Sequence, residues 1–480
     1  MDFKFYLDKV GEIGYIAEIT HSIVYVSGIP HVRPTELVMF ESGEIGQVLS
    51  LGKELAEVLV LTATSLRVGT RVARTGESFT VPLSTSLLGR TINPLGNILG
   101  SAQTLAGDVE RRPIDTTPMG IVGREDVKES FETGVTIVDL IVPLGKGQRE
   151  LIIGDRKTGK TAFLMQVLQN QASRGVVCIY AAIAKRQLEI KKFIDLINGK
   201  GISKSIITVV SGSGDPAGLI YLTPYTAMTV AEYFRDQGKD VLIILDDLTA
   251  HAKYYREITL LARRFPGRSS YPGDIFYTHS RLMERAGNFD KGSITCLPVA
   301  ESVLGDLSGY IQTNIMAMTD GHIFLDVDLF NQGRRPAVNP FLSVTRVGLQ
   351  AQSPLIRDLN RQLTAFLTKL ERMRQFMHFG AEVSKSVQET LQLGTKINAF
   401  FNQQPNTTVP VNIGIYILGV LWSGAWNEIG VKDVREKSEQ IISSYMKDPS
   451  FREKVDTIIM ASPSFKALVE SIEKAEAVAK

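Results

Sequence analysis

The chain has 480 residues, of which 44% are hydrophobic and 22% are charged, values typical of a soluble globular protein rather than a disordered or fibrous one. A chain of this length exceeds what one hydrophobic core usually spans, so several domains are expected. The 53 basic and 51 acidic residues leave a net charge of +2. This balance gives no support for a protein dedicated to binding nucleic acid or a membrane surface.

Residues 1–72 alternate between short β-like runs and glycine turns. The runs include residues 14–19, 23–26 and 36–40. Closely spaced short strands with Gly turns are typical of a small closed barrel. We therefore predict an N-terminal β-barrel domain over residues 1–72.

Residues 73–352 alternate strand-like and helix-length segments. The strand-like runs include residues 176–183, 205–210 and 241–245. This alternation predicts a parallel sheet covered by helices. The chain is therefore expected to be a multidomain α/β protein.

A complete G-x-x-x-x-G-K-[ST] phosphate loop follows the strand-like residues 150–153 and precedes a helical pattern. Its residues are Gly154, Asp155, Arg156, Lys157, Thr158, Gly159, Lys160 and Thr161. In this strand–loop–helix setting, backbone N–H groups converge on the phosphates of ATP or ADP, and the helix N-terminus adds partial positive charge. We expect Lys160 to reach the β- and γ-phosphates and the Thr161 hydroxyl to bind Mg²⁺.

A second contact to Mg²⁺ is expected from the apolar strand at residues 241–245, which ends in Asp246 and Asp247. Asp246 is the candidate ligand, directly or through a water, and Asp247 is expected to cap or orient the next segment. A strand followed by an Asp-rich turn is common by itself. The upstream phosphate loop favours the metal site.

Residues 353–480 are mostly helix-like. Ser353 and Pro354 have the N-cap and first-turn positions of a helix whose apolar residues recur in steps of three and four. A coiled coil is the alternative for this stripe, but it is short and isolated, which favours a C-terminal α-helical bundle. The longest apolar run, residues 413–422, has about half the length that a membrane span needs.

Hydrolysis requires a group that polarises the attacking water. The strand that ends at Ala184 is followed by Lys185, Arg186 and Gln187, with no carboxylate. Glu189 is expected to be a solvated residue of the next helix. The sequence therefore describes a site that holds Mg-ATP without an evident means of cleaving it.

Several colinear blocks resemble the alpha subunits of rotary F-type ATP synthases, over nearly the whole chain. They span residues 148–156, 232–236, 263–268, 271–274, 279–286 and 343–348. The resemblance implies a β-barrel crown, a RecA-like P-loop domain and a helical bundle. It also implies an alternating ring with catalytic beta subunits around a central-shaft gamma subunit, with a peripheral-stalk subunit as a further candidate partner.

By the same resemblance, alpha binds Mg-ATP without turning it over, on the cytoplasmic, stromal or matrix face of an energy-transducing membrane. Contact with that membrane would come only through the complex, which couples a proton or sodium ion. Arg346 matches the arginine donated in trans to the neighbouring catalytic site, with Ser343 as a supporting candidate required for activity. Without the resemblance, a buried structural salt bridge would be favoured for Arg346. Phe330, Arg335 and Pro336 match the adenine pocket, with Gln403 and Gln404 at its polar edge.

Three departures from the family pattern stand out. Lys157 and Lys185 each replace a usual glutamine, and the chain begins almost directly with the barrel instead of a long N-terminal helix. We therefore expect a modified attachment to any peripheral stalk. Two alternatives remain, a catalytic ring ATPase of the beta or secretion type and a hexameric nucleic-acid motor. The first needs a Glu at position 185, and the neutral charge argues against the second.

Overall fold

A computed structural model describes residues 2–62, 66–100, 105–377 and 384–479, and gives only the backbone of residues 376, 377 and 475–479. The chain forms two compact units. The first comprises residues 1–125, 175–301 and 306–319, and the second comprises residues 126–174, 302–305 and 320–480.

The strands follow one another in chain order. They are β1 (Ile13–Thr20), β2 (Ile23–Ser27), β3 (Glu36–Phe40), β4 (Ile45–Leu51), β5 (Ala56–Val60), β6 (Arg71–Ser78), β7 (Thr80–Leu83), β8 (Thr91–Ile92), β9 (Glu110–Pro113), β10 (Ser130–Phe131), β11 (Leu144–Gly145), β12 (Glu150–Gly154), β13 (Val177–Lys185), β14 (Ile206–Gly212), β15 (Val241–Asp246), β16 (Gly287–Phe289), β17 (Gly292–Glu301), β18 (Gly321–Leu325) and β19 (Val344–Thr345).

The α-helices are numbered in the same way. They are α1 (Phe3–Val10), α2 (Thr136–Ile141), α3 (Lys160–Ser173), α4 (Gln187–Gly199), α5 (Ala217–Asp236), α6 (Leu248–Leu261), α7 (Ile275–Met283), α8 (Tyr310–Met318), α9 (Val327–Asn331), α10 (Pro354–Met377), α11 (Lys385–Phe401), α12 (Val411–Trp422), α13 (Val431–Lys447), α14 (Pro449–Ala461) and α15 (Phe465–Ala479).

Six strands of the first unit close into an antiparallel barrel in the order β1-β2-β5-β4-β3-β6. Its interior is filled by apolar side chains such as Val24, Phe40 and Val58, none of which is exposed. The predicted barrel is confirmed. Strand β6 continues to Ser78, beyond the boundary predicted at residue 72.

Helix α1 precedes the barrel and was missed by the sequence analysis. The Asp2 side chain caps it by accepting a hydrogen bond from the Phe5 N–H at 2.9 Å. Its buried Tyr6 packs in one cluster with Met39 and Ala73 of the barrel. The eight-residue helix is thus attached to the barrel by this apolar cluster and by the ion pair between Lys9 and Glu77 of β6.

Besides the barrel and the two-stranded β7–β9 sheet, the first unit has a parallel sheet in the order β8-β14-β13-β15-β17, with β16 antiparallel to β17. Strand β15 is buried at every position, as expected of a parallel strand covered on both faces. Parallel strands carry their carboxyl ends at the same edge, so Lys185 and Asp246, the last residues of β13 and β15, lie at that edge.

In the second unit, β12 and β18 pair in parallel and β19 adds an antiparallel edge to β18. Helices α10–α15 form the predicted C-terminal helical region. Ser353 caps α10 by accepting from the Ile356 N–H at 3.3 Å, as expected. The apolar run at 413–422 lies in the largely buried helix α12. Within the described part of the chain, no helix combines the length and apolar character that crossing a membrane requires.

Candidate functional site

The phosphate loop connects β12 directly to α3. Gly159, immediately before the helix, has φ +92°, a conformation that favours glycine. Within the loop, the Thr158 hydroxyl donates to the Asp155 carbonyl at 2.8 Å. The predicted strand–loop–helix arrangement is therefore present, with the positive end of α3 facing the loop.

The Lys160 ammonium lies across its own loop. Nζ donates to the carbonyl oxygens of Gly154 and Asp155, at 2.7 Å each. Both carbonyls belong to the segment that would wrap the phosphates. The flexible Lys160 side chain therefore keeps its ammonium group at the loop. There the ammonium can release the carbonyl oxygens and bind phosphate oxygens instead.

The Asp155 carboxylate ties the loop to residues 302–305. Its Oδ1 accepts from the Ser302 hydroxyl at 2.6 Å and from the Gly305 N–H at 3.0 Å. The Ser302 N–H also donates to the Gly154 carbonyl at 3.2 Å. Asp155 thus supports the shape of the loop, a role that the motif alone did not predict.

Phe330 and Arg335 lie together beside the phosphate loop. The Arg335 guanidinium carbon is 3.5 Å from the centre of the Phe330 ring, and Nη1 donates to the Phe330 carbonyl at 2.7 Å. A Cβ built on Gly159 would stand 3.5 Å from the Phe330 ring. Pro336 follows Arg335 and is buried. The three residues predicted for the adenine pocket are therefore adjacent to one another and to the loop.

Asn402 joins this group and was not predicted. Its Oδ1 accepts from the Arg335 N–H at 2.9 Å, which fixes the segment that carries Arg335. The only sequence signal was its position next to the predicted Gln403. The sequence pointed to the segment that contains Asn402 but not to Asn402 itself.

Gln403 has a structural role in this fold. Its buried Oε1 accepts from the Thr136 N–H at 3.1 Å, and Nε2 donates to the carbonyls of Gly134 and Thr407 at 2.8 and 2.7 Å. Gln404 is exposed, and its carbonyl accepts from Gln166 Nε2 at 3.1 Å. Both residues line a cavity of about 370 Å³ that also contains Thr136, Gln169 and Arg435. Phe330, Arg335 and Pro336 are not among the described residues that line it.

Asp246 is held by two side chains at the end of β15. Lys185 Nζ donates to its Oδ1 at 2.6 Å, and the Tyr180 hydroxyl donates to its Oδ2 at 2.6 Å. Asp247, as predicted, caps the following helix, since its Oδ1 accepts from the Ala250 N–H at 2.5 Å. Lys185 Nζ also lies 3.8 Å from Asp247 Oδ2.

Burial and charge act in opposite directions on this cluster. Burial alone would lower the pKa of Lys185, but the negative charges of Asp246 and Asp247 outweigh it and raise that pKa above its usual range. Burial raises the pKa of Asp247 to about 6, although Lys185 opposes the increase. Lys185 is therefore cationic at neutral pH. The end of β13, the position considered for a catalytic carboxylate, carries an ammonium group instead.

The donor set fits Mg²⁺ only in part. Thr161 offers a hydroxyl in the exposed first turn of α3, which suits a hard cation. At Asp246 each oxygen already accepts one hydrogen bond from a neighbouring side chain, and one of these neighbours is a cation that opposes a second positive charge there. No described group of three or more His, Cys, Asp or Glu residues could hold a metal ion. Thr161 lies in the second compact unit and Asp246 in the first. The assignment of both residues to one metal ion therefore stays a prediction.

Glu189 is exposed and belongs to α4, as expected. Its carboxylate accepts from the Arg186 N–H at 3.4 Å at the start of the helix. The Glu189 carboxylate is therefore engaged in a hydrogen bond at the N-terminus of α4.

Arg346 follows β19 and is exposed, so the buried salt bridge that its apolar surroundings favoured is not formed. Its backbone N–H donates to the Asp320 carbonyl at 3.0 Å. Among the described residues, its guanidinium has no hydrogen bond or ion pair within the chain. The hydrogen-bonded backbone of Arg346 thus holds its guanidinium cation at the protein surface.

The segment around Arg346 is anchored by its neighbours. The Ser343 hydroxyl accepts from the Phe324 N–H at 3.0 Å and donates to the Asn339 carbonyl at 2.6 Å. The Thr345 hydroxyl donates to the Pro143 carbonyl at 3.0 Å. A Cβ on Gly348 would approach the same carbonyl to 1.7 Å, so only glycine fits there. Ser343 therefore positions this segment.

A buried acid lies beneath the same segment. Glu150 Oε2 accepts from Gln148 Nε2 at 2.7 Å, and that nitrogen lies 3.3 Å from the Thr345 hydroxyl. Burial raises the pKa of Glu150 well above its usual value. Sequence reasoning missed this residue because an acid within a short apolar strand has no distinctive pattern.

Comparison with known proteins agrees with this architecture. Residues 134–345 match the nucleotide-binding domain of the ATP synthase alpha/beta family, and residues 352–475 match the C-terminal domain of ATP synthase alpha/beta chains. The ATP synthase subunit alpha of Aquifex aeolicus (strain VF5) is 38% identical over 443 residues, covering 91% of this chain and 88% of the relative. The chain belongs to the ATP synthase alpha/beta family.

A second member of this family gives the same result. The ATP synthase subunit alpha of Neorickettsia sennetsu (strain ATCC VR-367 / Miyayama) is 38% identical over 447 residues, covering 90% of this chain and 88% of the relative. Similarity thus extends along nearly all of both chains. The phosphate loop and the Phe330–Arg335 pair lie within the first matched domain, and Arg346 follows its last matched residue.

Proposed function

We propose that this chain is the non-catalytic, nucleotide-binding alpha subunit of a rotary, ion-coupled ATP synthase. It binds ATP or ADP at its own phosphate loop without hydrolysing it. It donates Arg346 to the catalytic site of an adjacent beta subunit. The partners are beta subunits in an alternating ring and a central-shaft gamma subunit, at the face of an energy-transducing membrane.

One observation carries the non-catalytic assignment. Lys185 stands at the end of β13, and its ammonium is bonded to Asp246. An ammonium with a raised pKa cannot accept the proton of an attacking water. The alternative of a catalytic ring ATPase requires a carboxylate at this position, so Lys185 counts against it.

Nucleotide binding is supported by the phosphate loop and the residues beside it. The Gly159 conformation, the Lys160 ammonium and the start of α3 supply the features that hold phosphates. The Phe330 ring and the Arg335 guanidinium offer flat faces on which a base can stack.

Arginine donation is supported by the exposure of Arg346 and by its rigid base. A guanidinium aimed at a transferring phosphoryl group stabilises charge that develops in the transition state, an effect of about 10³ to 10⁵ in rate. Such a residue must be exposed on its own subunit and held by its backbone. Arg346 meets both conditions.

The test compares the purified chain alone with the ring that it forms with its catalytic partner. The chain alone should bind labelled ATP and hydrolyse it negligibly, and the ring should turn ATP over rapidly. Vigorous turnover by the lone chain that disappears in Lys160→Ala would contradict the non-catalytic assignment.

A further inference from the structure

A cavity of about 480 Å³ within the second unit is lined mainly by the segment 329–341 and by residues of α10 and α11. Part of the lining is apolar and includes the buried side chains of Leu370 and Phe401. The rest carries guanidinium, amide and carboxylate groups. The stacked Phe330–Arg335 pair is not among the described residues that line this cavity, so the cavity is not the group described beside the phosphate loop.

Arg334 lines this cavity and extends from a fixed backbone. Its N–H donates to the Leu329 carbonyl at 3.0 Å, and its carbonyl accepts from Arg335 Nη1 at 2.7 Å. The Arg334 side chain donates through Nη2 to Asn398 Oδ1 of α11. The two consecutive arginines therefore direct their guanidinium groups to different partners, Arg334 to Asn398 and Arg335 to the Phe330 ring.

Arg374 of α10 supplies a second cation to the same lining. Burial lowers the pKa of Arg334, and the positive charge of Arg374 lowers that pKa further. Among the described residues, neither guanidinium forms an ion pair with a carboxylate. Glu371 is the one acid in the described lining. Since arginine stays protonated in proteins, two positive charges here face a single negative charge.

Two asparagines, one helical turn apart at the end of α11, add hydrogen-bond donors to the lining. Asn398 uses its Oδ1 to accept from the Arg334 side chain, and Asn402 uses its Oδ1 to accept from the Arg335 N–H. An amide that accepts through its oxygen keeps its NH₂ group as a donor. Within the described part of the chain, neither of these NH₂ groups has a hydrogen-bond partner.

Guanidinium and amide N–H groups are the donors that bind phosphate and carboxylate oxygens. A cavity of this volume with an apolar part and a few polar groups is typical of sites for small organic ligands. We propose that this cavity binds a small organic anion, with its phosphate or carboxylate group at Arg334 and Arg374 and its apolar part against Leu370 and Phe401. Anion binding here is independent of the proposed function, so either can fail without the other.

Calorimetric titration of the full-length Lys160→Ala chain with phenyl phosphate tests this, because that substitution weakens the phosphate loop as a competing site. Arg334→Gln should weaken the binding of phenyl phosphate by about tenfold or more, and the more exposed Arg374→Gln by about fivefold or more. Glu371→Gln should strengthen it by about two- to fivefold, since the opposing negative charge is removed. Arg372→Gln, also on α10 but outside the described lining, removes the same charge and should change the affinity by less than about twofold.

The two parts of the ligand are tested with simpler probes. Benzyl alcohol keeps the aromatic ring without the negative charge and should bind at least about tenfold more weakly than phenyl phosphate. Inorganic phosphate keeps the charge without the ring and should also bind more weakly. Failure of both phenyl phosphate and benzoate to bind at millimolar concentrations would overturn the proposal.

Chemical modification locates the bound anion. Phenylglyoxal reacts with accessible guanidinium groups, and mass spectrometry gives the rate at each arginine. Phenyl phosphate should slow the modification of Arg374 and leave that of Arg372 unchanged. Equal rates with and without phenyl phosphate at Arg374, or equal affinity losses in Arg372→Gln and Arg374→Gln, would place the anion elsewhere and overturn the assignment. Because Arg374 is exposed on a helix, these results hold even if Arg334→Gln does not fold.

Discussion

Lys185 and Asp246 form an ion pair at the carboxyl edge of the parallel sheet, with Nζ 2.6 Å from Oδ1. The Lys185 side chain is 23% exposed and that of Asp246 is 6% exposed, so the carboxylate is the more deeply buried partner. Removing the cation leaves a buried carboxylate whose remaining side-chain hydrogen bond, among the residues that the structure describes, comes from the Tyr180 hydroxyl. The pair therefore matters for stability as well as for the site.

We predict that Lys185→Met lowers the free energy of unfolding of the chain by about 2–3 kcal/mol, because an uncompensated carboxylate remains; the loss is smaller than for a fully buried pair since Lys185 is partly exposed. Asp246→Asn in the Lys185→Met background should recover much of this loss, since no buried charge is left. Urea unfolding of the four proteins of this double-mutant cycle measures the coupling. Additive effects of the two substitutions would show that the ion pair contributes nothing.

Lys160→Ala should weaken ATP binding by about ten- to a hundredfold, because it removes the cation placed on the phosphate loop. The loop itself should keep its shape, since Thr158 and Asp155 hold it independently. Equilibrium binding of a fluorescent ATP analogue provides the measurement. Lys157→Ala, on the exposed part of the same loop, is the matched control and should change the affinity by at most a few-fold. Equal losses of ATP affinity in Lys160→Ala and Lys157→Ala would mean that the affinity depends on the total charge of the loop and not on the position of Lys160.

Phe330→Ala should reduce the affinity for adenine nucleotides by about 1–3 kcal/mol, the range measured for bases stacked on aromatic rings. Gln404→Ala should have almost no effect, because Gln404 is exposed and lines a cavity whose described residues do not include Phe330. Competition between ATP and inorganic triphosphate separates base from phosphate contacts. Only ATP should bind Phe330→Ala more weakly. A large loss of ATP affinity in Gln404→Ala would instead support the predicted position of Gln404 beside the adenine base.

The sequence was sufficient for features that depend on local pattern. The phosphate loop is defined by glycine and lysine spacing, and the barrel by alternating short strands with glycine turns. Ser353 at the N-cap of α10 is another local signal. Each of these is visible in a short stretch of sequence, and the structure shows the strand–loop–helix arrangement, the barrel strands and the cap. Closure of the barrel also needs the distant pairing of β1 with β6, which no short stretch reveals.

The sequence was not sufficient where a distant contact decides a side chain's role. Lys185 was recognised as an absent carboxylate, but its bond to Asp246 depends on a bulge in β13 that no periodicity reveals. Gln403 was assigned to a ligand, but its amide is engaged by Gly134, Thr136 and Thr407. In both cases a polar group had partners that only the folded chain brings near.

The buried pair His251 and His279 predicts a loss of stability in acid. His251 Nε2 lies 3.0 Å from the Tyr221 carbonyl, to which it donates, so its Nδ1 accepts from His279 Nε2 at 3.0 Å. Burial lowers the pKa of His251 from 6.5 to about 4 and the pKa of His279 well below its usual value. The unfolded chain therefore binds protons more readily. Stability due to His251 is complete above pH 6.5 and is lost as the pH falls toward 4.

The thermal unfolding midpoint should consequently fall between pH 7.5 and 5 by more in the wild-type chain than in a His251→Gln/His279→Gln variant. The variant retains amide donors and acceptors but has no imidazole to protonate at this site. Midpoints at each pH, recorded by circular dichroism in one buffer series, give the comparison. Parallel pH profiles for the two proteins would exclude the histidine pair as a source of acid sensitivity.

Arg346 should act on the partner's nucleotide and not on its own. Because its guanidinium is exposed and its segment is fixed through Ser343 and Thr345, Arg346→Ala should leave the fold and the chain's own ATP affinity nearly unchanged. Ring turnover should fall by about 10³-fold or more, since the transition state loses a positioned cation. Arg346→Lys should rescue poorly, because a point charge on a flexible stem does not reproduce the planar fork.

Ring assembly by size-exclusion chromatography, ATP binding by the isolated chain and turnover by the ring are measured on the same preparations. Arg357→Ala, in the first turns of α10, serves as an arginine substitution away from this segment and should leave turnover within a few-fold of wild type. If Arg346→Ala instead loses its own nucleotide while ring turnover survives, Arg346 serves the local site and donation across the interface is wrong for this protein. A preserved local affinity combined with a large loss of turnover is the result that only action in trans explains.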